Sequence, residues 1–199
     1  MSPAPAPPHR TPRVVARLGE AGADPAIVRA AVDAGAAMVE IPFAVLAAGT
    51  PPAGVPCIVA VEDAEAAVAA IERGAAGLRV DATGPARDEL VALAADRGLE
   101  AHVPIGRGLS DAVCIDVGEL DPDAADDLLG RLAALADLAA AGRAVVASIA
   151  AVGPDATATL AALATERGAT VLRVVDVASA VRAAAVLATI GGVDAGRSR

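Results

Sequence analysis

The 199-residue chain has no lysine, asparagine, glutamine, tryptophan or tyrosine, and one phenylalanine, Phe43. Every fixed positive charge is therefore an arginine. With a net charge of −9, no basic stripe and no aromatics to stack on bases, the sequence excludes nucleic acid as a partner. The acidic surplus favours solubility. Two cysteines, Cys57 and Cys114, sit in apolar runs without metal-type spacing and read as small buried residues in a reducing cytoplasm. Two histidines, His9 and His102, stand too far apart in sequence to suggest a metal centre. The longest uncharged run, Ile41 to Val61, contains Pro42, Pro51, Pro52 and Pro56, which would break a spanning helix. No membrane segment is expected, and the localisation read from these features is cytoplasmic. Met1 to Pro12 is rich in proline and alanine and lacks the apolar centre of a signal peptide, so it reads as a disordered tail.

What remains is abundant alanine, valine, glycine and aspartate, a bias that suits a GC-rich coding background. Within it, short apolar β-branched runs alternate with alanine-rich stretches. Eight runs stand out, at 13–18, 37–41, 56–61, 77–81, 100–105, 112–116, 143–149 and 171–176. Their apolar continuity suits strands covered on both faces. Helices separate most of them. Asp24-Pro25 opens one as N-cap and first residue, and Gly35 closes it. The pattern of cap, helix, glycine and strand recurs at 63–74, 85–98, 121–142 and 154–168, and a last helix spans Ser179 to Ile190 before Gly191-Gly192.

This order predicts a parallel sheet with right-handed crossovers. Eight strands point to an α/β fold of the closed (β/α)8 TIM-barrel type, with a doubly wound open sheet as the alternative. Such barrels usually need ~250 residues, so this one must be shortened, with one or two crossover helices missing. The thin connections are Phe43 to Val55 and Gly106 to Asp111. The expected layout is a tail at 1–12, a barrel domain at 13–191 and a flexible tail at 192–199.

Several strand ends resemble those of dihydropteroate synthases. Gly142-Arg143-Ala144-Val145-Val146-Ala147-Ser148 is similar to that family's Gly-Arg-Pro-Val-Leu-Val-Gly-x-Ser. Arg167-Gly168-Ala169-Thr170-Val171-Leu172-Arg173-Val174-Val175-Asp176-Val177 resembles its Arg-Gly-Ala-x-x-x-Arg-Val-His-Asp-Val. Ile115-Asp116-Val117-Gly118, Val80-Asp81-Ala82-Thr83-Gly84 and Gly35-Ala36-Ala37-Met38-Val39-Glu40-Ile41 match three further segments in the right order. The resemblance implies a pterin-binding barrel related to folate biosynthesis. Members of the family are transferases that join a dihydropterin pyrophosphate to p-aminobenzoate, with Mg²⁺.

On that resemblance the ligand-binding residues are Asp116, Asp81 and Arg173. A strand-end carboxylate can accept two N–H groups from a guanidine-like pterin edge. Each also has a plainer reading. A strand-end aspartate can cap the next helix, and Arg173 can pair with a nearby acid. The departures are as informative as the matches. Val80 stands where the family has its pterin-binding Asn, Ser148-Ile149-Ala150-Ala151 replaces the run carrying its Lys, and Val175 replaces a His. Ala60 falls where a second pterin-contacting Asp belongs, unless Glu62 or Asp63 takes the role. The first loop, Leu18 to Ala23, has no Asn, and the second, Pro42 to Pro52, has no Arg.

Losing one ionised donor at such a site costs on the order of 10²–10³-fold in rate. The expectation is a degenerate pterin-binding barrel, a pseudoenzyme with synthase activity lost or strongly reduced. No cofactor is expected, and Mg²⁺ only if activity persists. Its partners would be a pterin or other small planar ligand, and a second copy of the chain or a true synthase. One alternative is an active transferase in which Arg79, Arg107 or Arg173 replaces the lost cations. The other is a non-catalytic interaction domain. Glu40 and His102, near strand ends, leave unrelated acid/base chemistry open.

Overall fold

A computed structural model describes residues 11–49, 54–106, 113–150 and 153–197, with side chains described up to residue 190. Eight parallel strands close into a barrel in sequence order. They are β1 (Arg13–Arg17), β2 (Met38–Pro42), β3 (Cys57–Val61), β4 (Gly77–Val80), β5 (Glu100–Pro104), β6 (Cys114–Leu120), β7 (Val145–Ile149) and β8 (Val171–Val174). Closure comes from β8 pairing with β1, Val15 opposite Arg173. The open-sheet alternative is thereby excluded.

The helices are α1 (Pro25–Asp33), α2 (Phe43–Ala48), α3 (Ala64–Glu72), α4 (Gly84–Asp96), α5 (Ala125–Ala140), α6 (Pro154–Glu166) and α7 (Val177–Arg197). Caps set their starts as the sequence implies. Asp24 accepts from the Ala26 amide at 2.8 Å, and Asp63 from the Ala66 amide at 2.8 Å. The β2–β3 connection, expected to lack a helix, holds the six-residue α2, whose Leu46 is buried against the barrel. Between β5 and β6 no helix lies among the described residues, and Arg107 falls outside them. Helix α7 runs past Gly191-Gly192 to Arg197, beyond the expected end at Ile190. Among the described residues, no helix is long and apolar enough to cross a membrane.

Period-2 alternation divides each strand between two cores. Outward residues such as Val39, Val59, Leu78, Val103, Ala147 and Leu172 form one continuous layer with the helices. Inward residues toward the strand starts (Val15, Met38, Ile58, Cys114, Val146 and Val171) form a second, smaller apolar cluster inside the barrel. Above that inner cluster, toward the strand ends, the filling changes from apolar to charged.

Candidate functional site

The charged layer is built by the inward positions of the even-numbered strands: Glu40 of β2, Arg79 of β4, Asp116 of β6 and Arg173 of β8. Four side chains from alternate strands are the usual unit for filling such a barrel. Here the four alternate in charge around the ring. Arg79 Nη1 donates to Glu40 Oε1 at 2.9 Å, Arg173 Nη1 to Glu40 Oε2 at 3.3 Å, and Arg173 Nη2 to Asp116 Oδ2 at 2.5 Å. Glu40, Asp116 and Arg173 are 4%, 7% and 6% exposed. Two arginines against two acids leave the ring neutral, as burial of charge demands.

Asp116 is held on every side. Its Oδ1 accepts from the Gly118 amide at 2.9 Å and from Ser148 Oγ at 3.2 Å. The first of these bonds needs a β-bulge, where the pairing of β6 with β7 slips between Asp116 and Glu119. Gly118 makes the bulge with φ 90°, and Arg131 packs against it, its Nη1 donating to the Val117 carbonyl at 2.7 Å. This bulge carries β6 on to Leu120, past the end at Asp116 that the apolar run suggested.

Asp81, just after β4, turns to Arg79 Nη2 at the rim. Burial alone would lower the Arg79 pKa, but the bonds and charges of Asp81 and Glu40 raise it overall, so this arginine stays charged. The Nε atoms of Arg79 and Arg173 are buried without a hydrogen-bond partner among the described residues. Asp176 is a helix cap, since its Oδ1 accepts from the Ser179 amide at 3.1 Å at the start of α7. The hydrogen bonds from Ser179 hold its carboxyl below the usual range.

The three residues singled out from sequence thus lie at one end of the barrel, Asp116 and Arg173 in direct contact and Asp81 joined to them through Arg79 and Glu40. Glu40 and Arg79 complete the ring, although neither ranked among the sequence-derived ligand positions. A cavity of about 500 Å³ opens beside the ring, on the β1–β4 side of the mouth. It is lined by Arg17, Glu40, Phe43, Glu62, Asp63, Arg79 and Asp81 among others, while Asp116 and Arg173 lie off it. Arg17 is itself paired with Glu119, at 2.7 Å. Ala60 lines the cavity as well, so no acid replaces it on the strand, and Asp63 is spent on its cap. Val80 faces the helix layer, not the barrel interior.

A second polar cluster sits at the opposite pole, near the strand starts. Glu100 Oε1 lies 2.7 Å from His102 Nε2, accepts from Cys114 Sγ at 3.2 Å, and pairs with Arg13 Nη2 at 2.5 Å. Arg13 opens β1 and Glu100 opens β5, strands on opposite sides of the eight-membered ring, so the pair spans the barrel floor. The sequence spacing gave no hint of this grouping, because its members come together only when the barrel closes.

No family model and no curated protein matches the chain by sequence. Solved structures do match in shape. The dihydropteroate synthase of Yersinia pestis superposes with a TM-score of 0.70 at 18% identity, over 94% of this chain and 93% of that one. The Xanthomonas albilineans dihydropteroate synthase in complex with 7,8-dihydropteroate gives 0.67 at 18% identity, over 90% and 92%. The fold is that of the dihydropteroate synthases. A Mycobacterium tuberculosis protein matches likewise, with a TM-score of 0.70 at 23% identity over 92% of both chains.

In this dihydropteroate-synthase fold the bulged β6 brings Asp116 to the barrel end, and β8 brings Arg173 beside it. The chemistry open to the mouth follows from its charge. It presents paired arginines and, apart from Glu62, committed acids to any ligand, and the cavity lining has more acids than arginines.

Proposed function

We propose that this chain is a dihydropteroate-synthase-like barrel that has lost the synthase reaction, and that its mouth takes a pterin or similar planar ligand only in competition with its own Arg173. The observation that carries this reading is the Arg173–Asp116 contact. A pterin offers a carboxylate a guanidine-like pair of N–H donors, the same pattern that an arginine offers. Arg173 brings that pattern tethered to the site and with a full positive charge. An incoming pterin must displace it and leave a buried guanidinium short of a partner, which costs several kcal/mol.

The transfer step fares worse. Drawing charge from a departing diphosphate needs free cations or a metal. Arg79 is bound to Glu40 and Asp81, Arg17 to Glu119, and Arg173 to Glu40 and Asp116. Magnesium diphosphate does not fit the residues present. Of the acids at the mouth, Asp63 caps a helix and Glu40, Asp81 and Asp116 are paired with arginine, which leaves the exposed Glu62 as a single uncommitted carboxylate there among the described residues, and the first loop is a short 3-10 turn, Gly19–Ala23, with no Asn. An active transferase built on Arg79 or Arg173 would have to break the ring that keeps these charges neutral.

The test is purified full-length protein with dihydropterin pyrophosphate, p-aminobenzoate and Mg²⁺, beside calorimetry with the pterin alone. No product and weak binding are expected. Turnover at an ordinary enzyme rate would refute the reading. Absence of any heat at millimolar pterin would instead favour the interaction-domain alternative.

A further inference from the structure

We propose that Glu100, His102 and Cys114 form a binding site for a zinc-class divalent cation at the floor of the barrel, opposite the mouth. Their donor atoms all lie within 4.8 Å of one another. A thiolate, an imidazole and a carboxylate are a donor set that zinc accepts, with a fourth position left to solvent. His102 is completely buried, and its Nδ1 has no hydrogen-bond partner among the described residues. Stacking a buried histidine, a buried thiol and an arginine on one carboxylate oxygen serves the barrel poorly as packing, because an apolar trio would fill the same floor without the cost of burying polar groups.

The spacing is close to what a metal needs. Tetrahedral zinc, with bonds of about 2.0–2.3 Å, holds its N, O and S ligands roughly 3.3–3.6 Å apart. The observed separations are 2.7 Å from Glu100 Oε1 to His102 Nε2 and 3.2 Å to Cys114 Sγ. The cluster is thus drawn in on its protons, and opening the Glu100–His102 pair by about 0.6 Å and the Glu100–Cys114 pair by about 0.3 Å would give the separations zinc needs. Binding takes one proton from the Cys114 thiol, which is released to solvent. The imidazole proton moves from Nε2 to Nδ1, and Glu100 arrives already ionised. A thiolate and a carboxylate then face a divalent charge and balance it. The thiol must ionise to bind, so metal uptake is accompanied by proton release.

Arg13 holds the same Glu100 oxygen, but its side chain is 48% exposed and can swing into solvent, while Glu100, at 21%, provides the way in. The site is separate from the charged ring and does not depend on any reading of the mouth.

Cobalt(II) titrated into chelator-treated full-length protein reports on it directly. With no Trp or Tyr, the chain leaves the near-ultraviolet clear for a sulfur-to-cobalt charge-transfer band. One Co²⁺ per chain is expected, with that band, intense four-coordinate visible bands, about one proton released, and bleaching by Zn²⁺. Cys114→Ser should abolish the sulfur band, Glu100→Gln should weaken binding at least tenfold, and Cys57→Ser should change neither. Folded wild-type protein without a sulfur band at millimolar Co²⁺ would overturn the proposal, as would a band that survives Cys114→Ser. Should that variant fail to fold, proton NMR of the wild type decides, because only two histidines are present. Zn²⁺ must shift the His102 ring, and a shift confined to His9 would overturn the assignment.

Discussion

Replacing Arg173 by methionine tests the charged ring most severely. Methionine keeps most of the side-chain length and apolar volume but removes the guanidinium. Breaking a buried ion pair by removing one partner costs about 3–5 kcal/mol, because the other charge is left in a poor solvent. Two acids lose a partner here, but neither is stripped bare. Glu40 keeps Arg79 at 2.9 Å, and Asp116 keeps the Gly118 amide and Ser148. The lower end, about 3 kcal/mol, is therefore expected, corresponding to a fall in Tm of roughly 6–12 °C for a domain of this size. Adding Asp116→Asn should recover part of the loss, since the orphaned charge disappears with its partner, giving a coupling energy of about 1–3 kcal/mol. Urea unfolding of the wild type, both single variants and the double variant measures it, provided the slope with denaturant stays constant. A cost under about 0.5 kcal/mol for Arg173→Met, or strictly additive single effects, would show that the ring is not the coupled unit described.

The same substitution should raise pterin affinity, by freeing Asp116 for a guanidine-like edge; calorimetry showing equal or weaker binding in folded Arg173→Met would contradict the competition. At the floor, burial alone would raise the Glu100 carboxyl, but the bonds from His102 and Arg13 bring it well below its ordinary value near 4.5. Its contribution to stability is therefore complete above about pH 4.5 and lost as the pH falls below it, so wild type and Glu100→Gln should converge in urea midpoint below that pH, whereas a pH-independent gap would argue against the assignment. Gly118→Ala should cost about 1–3 kcal/mol, because a Cβ at φ 90° would run into Arg131, and a neutral result by thermal melting would count against the bulge. Cys57 and Cys114 are both buried with raised pKa values, so a disulfide exchange reagent should label neither until urea unfolds the metal-free chain.

The fold was legible because its signals are local. All eight strands appear at their expected places, since continuous apolar runs and Asp-Pro or Asp caps are decided within a few residues of chain. The exceptions have physical reasons. Helix α2 lacks a charged cap and a closing turn of the usual kind, so its six residues looked like loop. The far end of β6 lies beyond a bulge that no periodicity announces. The site was legible by half. Resemblance pointed to Asp116, Asp81 and Arg173, but their mutual pairing through Glu40 and Arg79 did not follow from it. Alternation held an unused signal: Glu40, Arg79, Asp116, Ser148 and Arg173 are each a polar residue set between buried apolar neighbours on a strand. Such a residue in a doubly covered strand must point inward, and four of them on even strands with alternating sign imply a ring.

On the proposed reading, that ring also explains how the barrel mouth could stay charged without chemistry. A site that binds substrate keeps some buried donors and acceptors unspent, and pays for them in stability until the ligand arrives. With no Lys or Asn in the chain, the charged groups left in the ring are few enough to pair with one another, and only the Nε atoms of Arg79 and Arg173 go without a partner among the described residues. Glu40 spans both arginines, and Asp116 takes the second terminal nitrogen of Arg173. The surplus acids, Asp81, Glu62 and Asp63, sit at the rim where water can share them. Neutralisation of this kind removes the pull on an anionic leaving group and the opening for a pterin edge together, because Arg173 answers both. Restoring either function should therefore require undoing the ring first, and a cation added elsewhere at the mouth, with Arg173 in place, should restore neither.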